Sequence, residues 1–219
     1  MVHRYIPLMP ALRHTLSALC LMAVPMIGQA HPHVFIDTGL HAVVDTDGTF
    51  KGLEVRWAYD DFYSLLIFAD MGLDPDGNGV LTPEEINQLD GFDLQWIEGY
   101  EGDSYVTKNG TPIALGPPQS RGVTVENGRI ITTHFRAADA PAAGLQIKAF
   151  DPTFYTAYAL VGQVLVDGPC TSRIEPADLD AAYTRLEELL YATPEAEATD
   201  YYPEVGESFA DTVMLSCEP

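Results

Sequence analysis

Short runs of β-branched and aromatic residues, separated by turns that contain glycine, make up much of this sequence. Residues 34–45 and 49–59 are two such runs, and the Asp47-Gly48 pair between them is a typical hairpin turn. Hydrophobic positions in the second run alternate with polar ones, which places them on one face of an extended strand. The pattern therefore predicts a β-hairpin over residues 34–59.

The pattern of strands and turns returns after residue 102. Asn109-Gly110 and Asn127-Gly128 are residue pairs typical of two-residue hairpin turns, and each pair lies between two β-rich runs. The strands predicted in this part of the chain cover residues 104–108, 112–115, 122–125, 129–135, 145–150, 155–166 and 209–215.

Residues 60–98 have the hydrophobic spacing of two helices joined by a polar loop. Hydrophobic residues recur every three or four positions after Asp60, whose side chain can cap the start of a helix. The Thr82–Glu85 segment has a capping-box sequence with proline at the first helical position. The helical periodicity that follows extends to Trp96. A late amphipathic helix is predicted to start at Pro176.

These patterns together predict a mainly β protein, an antiparallel β-sandwich-like structure with a helix–loop–helix inserted after the first hairpin. With the late helix, the fold class is α+β overall. Residues 31–219 are expected to form a single domain, because their number suits one hydrophobic core. The sequence contains neither of the glycine-rich motifs that would indicate a nucleotide-binding fold.

Residues 1–30 have the features of a cleaved signal peptide. Basic residues come first, an apolar run follows, and Gly28-Gln29-Ala30 places small residues where a signal peptidase reads. The apolar run is shorter than the roughly 20 residues of a permanent membrane span, so an uncleaved anchor is the weaker alternative. Lipidation at Cys20 is disfavoured because the preceding Leu19 is large. The sequence therefore predicts a periplasmic mature chain with no membrane insertion.

The charge of the chain restricts its partners. The formal net charge is −21, and cleavage after Ala30 would remove two arginines and no acid. Such a chain is expected to repel nucleic acid and anionic membranes and to attract cations. Cys170 and Cys217 are the two cysteines that remain after cleavage. In an oxidising compartment they are expected to form a disulfide bond, and two free structural thiols are the alternative.

Residues 74–85 match the calcium-binding loop of an EF-hand position by position. Gly79 occupies position six, where the backbone must turn sharply, and Leu81 occupies the apolar anchor position. Ca²⁺ prefers about seven oxygen ligands at ~2.4 Å, and the loop has oxygen-bearing groups at each ligand position. The predicted ligands are Asp74, Asp76, Asn78, the Val80 carbonyl, Thr82 and Glu85. The insertion is thus an EF-hand helix–loop–helix, and an acidic turn without an ion is the alternative.

The mature N-terminus carries two histidines that suit a transition metal. After cleavage, the amine and imidazole of His31 could chelate one ion, and His33 could add a second imidazole. Imidazole ligands favour Ni²⁺, Co²⁺, Zn²⁺ or Cu²⁺ over Ca²⁺. His134 could join them if its strand lies beside the N-terminus. The alternative is an exposed terminus that binds no metal.

Several segments resemble one bacterial family. They are HPHVF after Ala30, the DDFYS helix start at Asp60, the calcium-type loop, DPTFY from Asp151, and the two late cysteines. Together they resemble the family known as domain of unknown function 1007, whose members are often labelled periplasmic components of ABC-type transport systems. The resemblance covers nearly the whole mature chain. It implies that the gene lies near genes for nickel- or cobalt-type metal transporters, and it implies no catalytic residue.

The expected function is that of a periplasmic metal-binding accessory protein. It would bind Ca²⁺ in the EF-hand-type loop and a transition metal at His31 and His33, for an inner-membrane metal transporter. The alternative is a Ca²⁺-stabilised structural or interaction module without metal cargo. We do not expect an enzyme, because Asp60 is explained as a helix cap and Asp151 as part of a turn.

Overall fold

A computed structural model describes residues 32–192 and 202–218. This part of the chain contains two β-sheets, three α-helices and one short 3₁₀ helix. The predicted signal peptide of residues 1–30, and His31, lie outside the described residues. None of the helices described is long and apolar enough to cross a membrane.

The first sheet has six strands, and the first strand in the chain pairs with three of the others. Numbered in chain order, its strands are β1 (Val34–Val44), β2 (Thr49–Tyr59), β5 (Pro118–Glu126), β6 (Arg129–Pro141), β8 (Thr156–Leu160) and β9 (Leu165–Val166). Their order is β5-β6-β2-β1-β8, and β9 also pairs with β1. Both β8 and β9 run parallel to β1, and the other pairs are antiparallel.

The second sheet has five strands and is entirely antiparallel. Its strands are β3 (Ser104–Lys108), β4 (Thr111–Ile113), β7 (Leu145–Ala149), β10 (Cys170–Glu175) and β11 (Thr212–Cys217). Their order is β10-β11-β7-β3-β4. A disulfide bond joins Cys170 to Cys217, which face each other in the register of β10 and β11. The predicted disulfide is therefore confirmed.

The helices lie at the connections between strands. They are α1 (Asp61–Met71), α2 (Pro83–Gln88), α3 (Leu179–Ala192) and the 3₁₀ helix Gly206–Phe209. Asp60 caps α1 as predicted, since its carboxylate accepts a hydrogen bond from the Tyr63 N–H at 2.8 Å. Thr82 and Glu85 form the predicted capping box at the start of α2. The predicted insertion lies between β2 and β3 and thus connects the first sheet to the second.

The core consists of the inward-facing side chains of both sheets. Burial alternates along β1, as expected for a strand with one face against the core. Among the fully buried side chains are Phe50 and Leu53 of the first sheet, and Ile147 and Leu215 of the second. The predicted mainly β, α+β architecture is confirmed.

The second helix of the insertion is shorter than its hydrophobic periodicity predicted. It ends at Gln88 instead of reaching Trp96. Gly91 has a φ of 73°, a left-handed conformation that a continuing right-handed helix does not allow. Phe92 and Trp96 still pack against the core, although they do so from irregular backbone. Hydrophobic spacing alone therefore overestimated the length of α2.

The strand predictions also needed correction in the C-terminal half. The single strand predicted over residues 155–166 is two short strands, β8 and β9. Strand β10 was not predicted, because its sequence is polar and lies at an exposed edge. The last strand begins at Thr212 instead of Phe209, since Gly206–Phe209 forms the 3₁₀ helix. Both predicted Asn-Gly turns are present, between β3 and β4 and between β5 and β6.

Candidate calcium loop and aromatic cavity

The candidate calcium loop, residues 74–85, connects α1 to α2. The two carboxylate oxygens of Asp74 accept hydrogen bonds from the N–H groups of Asn78, at 3.0 Å, and Gly79, at 2.9 Å. Gly79 has a φ of 75°, which explains why glycine is needed at this sixth position. Asp74 therefore holds the turn by its side chain, as the first residue of an EF-hand-type loop is expected to do.

Glu85 joins the end of the loop to its start. Its Oε1 accepts a hydrogen bond from the Asp74 N–H at 3.1 Å, and its Oε2 accepts from the N–H and the hydroxyl of Thr82 at 2.7 and 2.8 Å. The hydrogen bond from the Thr82 N–H is the main reason that the pKa of Glu85 lies below its usual value. Glu85 is therefore held as a carboxylate beside the first residue of the loop.

The structure brings the predicted side-chain ligands into one loop, joined by hydrogen bonds. Asp76 accepts a hydrogen bond from the Asn78 amide at 2.7 Å. The Val80 side chain is exposed, and Leu81 is buried at the anchor position as predicted. Among residues 32–192 and 202–218, no three His, Cys, Asp or Glu side chains converge as a metal site. Ca²⁺ binding would thus require the carboxylates of this exposed loop to exchange some hydrogen bonds for the ion.

The described histidines lie in separate surroundings. The His33 ring packs against the Tyr155 ring at 4.8 Å, and the His33 N–H donates to the Tyr155 carbonyl at 2.8 Å. His41 pairs with Asp167 at 2.9 Å on the other end of β1. His134 is fully buried. The structure therefore does not place His134 or His41 together with His33 as shared metal ligands.

A large cavity opens beside the insertion, and sequence reasoning missed it. Its volume is about 850 Å³, and its lining comes from the first sheet, α1, the segment after α2 and the residues around Asp103 and Asp151. Eight lining residues are aromatic: Trp57, Tyr59, Tyr63, Phe92, Tyr100, Tyr105, Tyr155 and Tyr158. Six are acidic: Asp70, Asp90, Asp93, Glu101, Asp103 and Asp151. In the described part of the chain, no lysine, arginine or histidine lines it.

Asp103 is a buried carboxyl group at the wall of this cavity. Its Oδ2 accepts hydrogen bonds from the hydroxyls of Tyr100, at 2.9 Å, and Tyr158, at 2.7 Å. Burial raises the pKa of Asp103 to about 6, although the two hydroxyls favour the carboxylate. Within the described ranges, these two tyrosine hydroxyls are the side-chain groups that hydrogen-bond to Asp103.

Asp93 is a second carboxyl group whose hydrogen bonding is incomplete. Its Oδ2 accepts hydrogen bonds from the hydroxyls of Tyr59, at 2.9 Å, and Thr132, at 2.6 Å. Its Oδ1 is buried and has no hydrogen-bond partner among residues 32–192 and 202–218. Burial is the main cause that raises the pKa of Asp93. A buried acceptor without a partner is rare in folded proteins.

Trp57, in the wall of the cavity, packs against the ring of His134, which lies behind it. Trp57 lines the cavity and is only 3% exposed, and its Nε1 has no hydrogen-bond partner in the part of the chain that the structure describes. Its ring contacts the His134 ring, with centroids 4.6 Å apart. Trp96 packs on His134 from another side, at 5.7 Å. Neither imidazole nitrogen of His134 has a hydrogen-bond partner among the residues described, so burial strongly favours the neutral ring.

We expect the burial of His134 to make the fold sensitive to acid. Burial lowers the pKa of His134 to about 4, against 6.5 when unperturbed. The unfolded chain then binds more protons between these values, so the stabilising contribution of neutral His134 is complete above pH 6.5 and is lost as pH falls to about 4. As pH falls from 6.5 to 4, the wild type should lose about 3 kcal/mol of unfolding free energy relative to His134→Phe.

Urea unfolding at a series of pH values measures this difference. Taking the difference between two proteins removes the opposite pH dependence of Asp103, whose raised pKa favours folding as pH falls through 6. His41→Phe is the matched control, because His41 lies at the surface beside Asp167. Parallel pH profiles of the wild type and His134→Phe would contradict the expectation.

Of two comparisons with known proteins, one found a match. The model of a family described as "Protein of unknown function (DUF1007)" matches residues 16–217. The comparison with curated proteins found no match.

Proposed function

Since this chain belongs to the DUF1007 family, whose description gives no activity, we propose a function from the calcium loop itself. The mature chain is a Ca²⁺-stabilised periplasmic binding module that holds one ion in residues 74–85. The observation that carries this proposal is the way Asp74 is used at both ends of the loop. Its carboxylate fixes the turn at Asn78 and Gly79, and its N–H reaches Glu85.

The donors of the loop suit a hard divalent cation. Three carboxylates, one amide oxygen, a main-chain carbonyl and a hydroxyl lie within twelve residues, and calcium prefers such oxygen ligands. The carboxylates would otherwise repel one another, so the charge of the ion favours the closed turn. Leu73 before the loop and Leu81 within it are both buried. The bound ion would therefore stabilise the attachment of α1 and α2 to the core.

Removing the carboxylate at the last ligand position should abolish the stabilisation by Ca²⁺. With the ion about a hundredfold above its Kd, the wild type should gain about 2.7 kcal/mol. Glu85→Gln should show little gain, because the amide loses the charge and the bidentate oxygens. Its side chain can still accept the capping hydrogen bonds, so α2 should persist. Thermal unfolding with added CaCl₂ and with chelator measures the effect.

Glu84→Gln is the matched control for this experiment. Glu84 is adjacent, exposed and in the first turn of α2, and it occupies no ligand position. This variant should keep the full response to Ca²⁺. We expect a Kd for the wild type of roughly 10⁻⁶ to 10⁻³ M by titration calorimetry. Equal melting temperatures of the wild type in CaCl₂ and in chelator would contradict the structural role of the ion.

A second candidate function concerns transition metals, and the position of His33 favours it. The His33 ring rests on Tyr155, which lines the aromatic cavity, and the His33 backbone is hydrogen-bonded there. His31 and His33 would bind Ni²⁺, Co²⁺, Zn²⁺ or Cu²⁺ close to the contact between His33 and Tyr155. The ion would be bound for an inner-membrane metal transporter. Under the alternative, the chain is a structural or interaction module that carries no metal cargo.

Metal titration of untagged mature protein separates these two functions. The wild type should bind one transition-metal ion more tightly than millimolar, and the variant with His31→Ala and His33→Ala should lose that ion while keeping Ca²⁺. His41→Ala is the matched control, since His41 lies at the other end of β1. Absence of such binding in the wild type would favour the module without metal cargo.

A further inference from the structure

We propose that the aromatic cavity binds one small organic cation with a protonated or quaternary nitrogen. This inference goes beyond the calcium loop and the N-terminal histidines, and it depends on neither of them. It rests on three properties of the cavity: the aromatic rings that line it, the sign of its charges, and a buried carboxylate oxygen that has no partner among the described residues.

The aromatic rings surround the cavity at different angles. Trp57 lies 6.4 Å from Tyr59 at an interplanar angle of 75°, and 5.7 Å from Tyr158 at 45°. Tyr63 stacks on Tyr59 from α1, with centroids 5.2 Å apart. Ring faces carry negative potential and attract cations, and several inclined rings together form the cage that quaternary ammonium ligands prefer. The walls therefore bring several aromatic rings close to one cavity, as such a cage requires.

The charges of the lining add to this attraction. Six carboxyl groups line the cavity, and the described lining contains no basic side chain to neutralise them. Arg136 contacts lining residue Glu101 at 3.8 Å but does not itself line the cavity. A cavity of about 850 Å³ is within the size range of small-molecule sites. An anionic ligand would be repelled, and a neutral one would leave the buried charges uncompensated.

One buried polar atom of the lining lacks a partner that a cation could supply. Among the described residues, the Oδ1 of Asp93 accepts no hydrogen bond, and Asp93 lines the cavity. An ammonium N–H can donate to Asp93, which would complete the hydrogen bonding of that carboxylate. A quaternary nitrogen cannot donate, so this observation favours a protonated amine over a quaternary one.

The arrangement of the carboxylates favours an organic cation over a bare metal ion. Asp93 is held by Tyr59 and Thr132, whereas Asp103 is held by Tyr100 and Tyr158. Within the described ranges, no three such side chains converge as a metal site requires. Separate carboxylates along an aromatic wall instead suit a ligand with an extended carbon skeleton or more than one positive charge.

Calorimetric titration of the mature protein with chosen probes tests the proposal. The probes are putrescine, tetramethylammonium and 1,4-butanediol, a neutral molecule of the same length as putrescine. All titrations contain CaCl₂ and about 0.15 M NaCl, which screens unspecific attraction to the acidic surface. We expect one site for putrescine, and binding of 1,4-butanediol at least about tenfold weaker. Tighter binding of tetramethylammonium than of putrescine would assign the site to quaternary nitrogen instead.

Variants of the cavity distinguish this site from surface attraction. Asp103→Asn and Tyr63→Leu should each weaken putrescine binding about tenfold, because one removes a charge and the other a π face. Asp180→Asn, on the exposed side of α3, removes the same charge elsewhere and should leave the Kd unchanged. Two cavity variants are used because a change at buried Asp103 can also affect folding.

The result that would overturn the proposal is specific. If neither cation binds more tightly than 1,4-butanediol, or if Asp180→Asn weakens putrescine binding as much as Tyr63→Leu does, the cavity is not a cation site. A further putrescine titration with chelator in place of CaCl₂ separates this outcome from failure of the calcium loop, because it measures putrescine binding without Ca²⁺.

Discussion

Replacing Arg136 with alanine should lower the free energy of unfolding by about 4 kcal/mol. The guanidinium is almost completely buried and donates hydrogen bonds to the carbonyls of Gly116, at 3.0 Å, Leu115, at 3.2 Å, and Glu101. It also lies over the Trp96 ring, 5.0 Å from the centroid. Alanine would leave these three partly buried carbonyls without this donor, and a buried group left without its partner costs about 1–3 kcal/mol.

Urea unfolding of the Arg136→Ala variant measures this loss. Arg121→Ala is the control, because Arg121 also stacks on an aromatic ring, that of Phe135, but is exposed. The control should lose less than about 1 kcal/mol. A loss of similar size in both variants would mean that ring stacking, and not the buried carbonyl contacts, accounts for the role of Arg136.

Removing the disulfide bond should lower the free energy of unfolding by about 4 kcal/mol. Cys170 and Cys217 are 47 residues apart in sequence, and the loop that they close restricts the unfolded chain by about this amount in the chain-entropy model. The variant with Cys170→Ser and Cys217→Ser should therefore unfold at lower urea concentration than the wild type. The bond also holds the last strand, β11, at its C-terminal end.

Two measurements check this prediction. A thiol assay on unreduced mature protein should detect almost no free thiol, and added reductant should shift the wild-type unfolding curve to that of the double variant. Reductant should have no effect on the variant itself, which controls for other actions of the reagent. Equal stability of the oxidised wild type and the double variant would contradict a stabilising role of the bond.

Local signals in the sequence predicted the elements whose formation depends on local chemistry. The Asn109-Gly110 turn and the Thr82–Glu85 capping box are examples, because a few adjacent residues determine each of them. The end of α2 was missed because hydrophobic spacing continues beyond Gln88 while the backbone turns at Gly91. Strand β10 was missed because its partner, β11, supplies the pairing that its own polar sequence does not indicate.

The aromatic cavity could not be predicted from the sequence, because its walls come from distant segments. Tyr59 ends β2, Tyr100 lies before β3, and Tyr158 lies in β8. Their convergence depends on which strands pair in each sheet, and local sequence patterns do not reveal that pairing. The composition did contain a signal, since 11 tyrosines and 32 acids accompany only 11 basic residues. That signal indicates cation binding in general but gives no position.

The parallel pairing of β1 with β8 has a consequence for the order of folding. Val34 pairs with Thr156, so about 120 further residues must be available before β1 has a neighbour on each side. Contacts between such distant segments slow folding, because a large loop must close before any energy is gained. A nascent chain would therefore lack a complete first sheet during most of its synthesis, until β8 has left the ribosome.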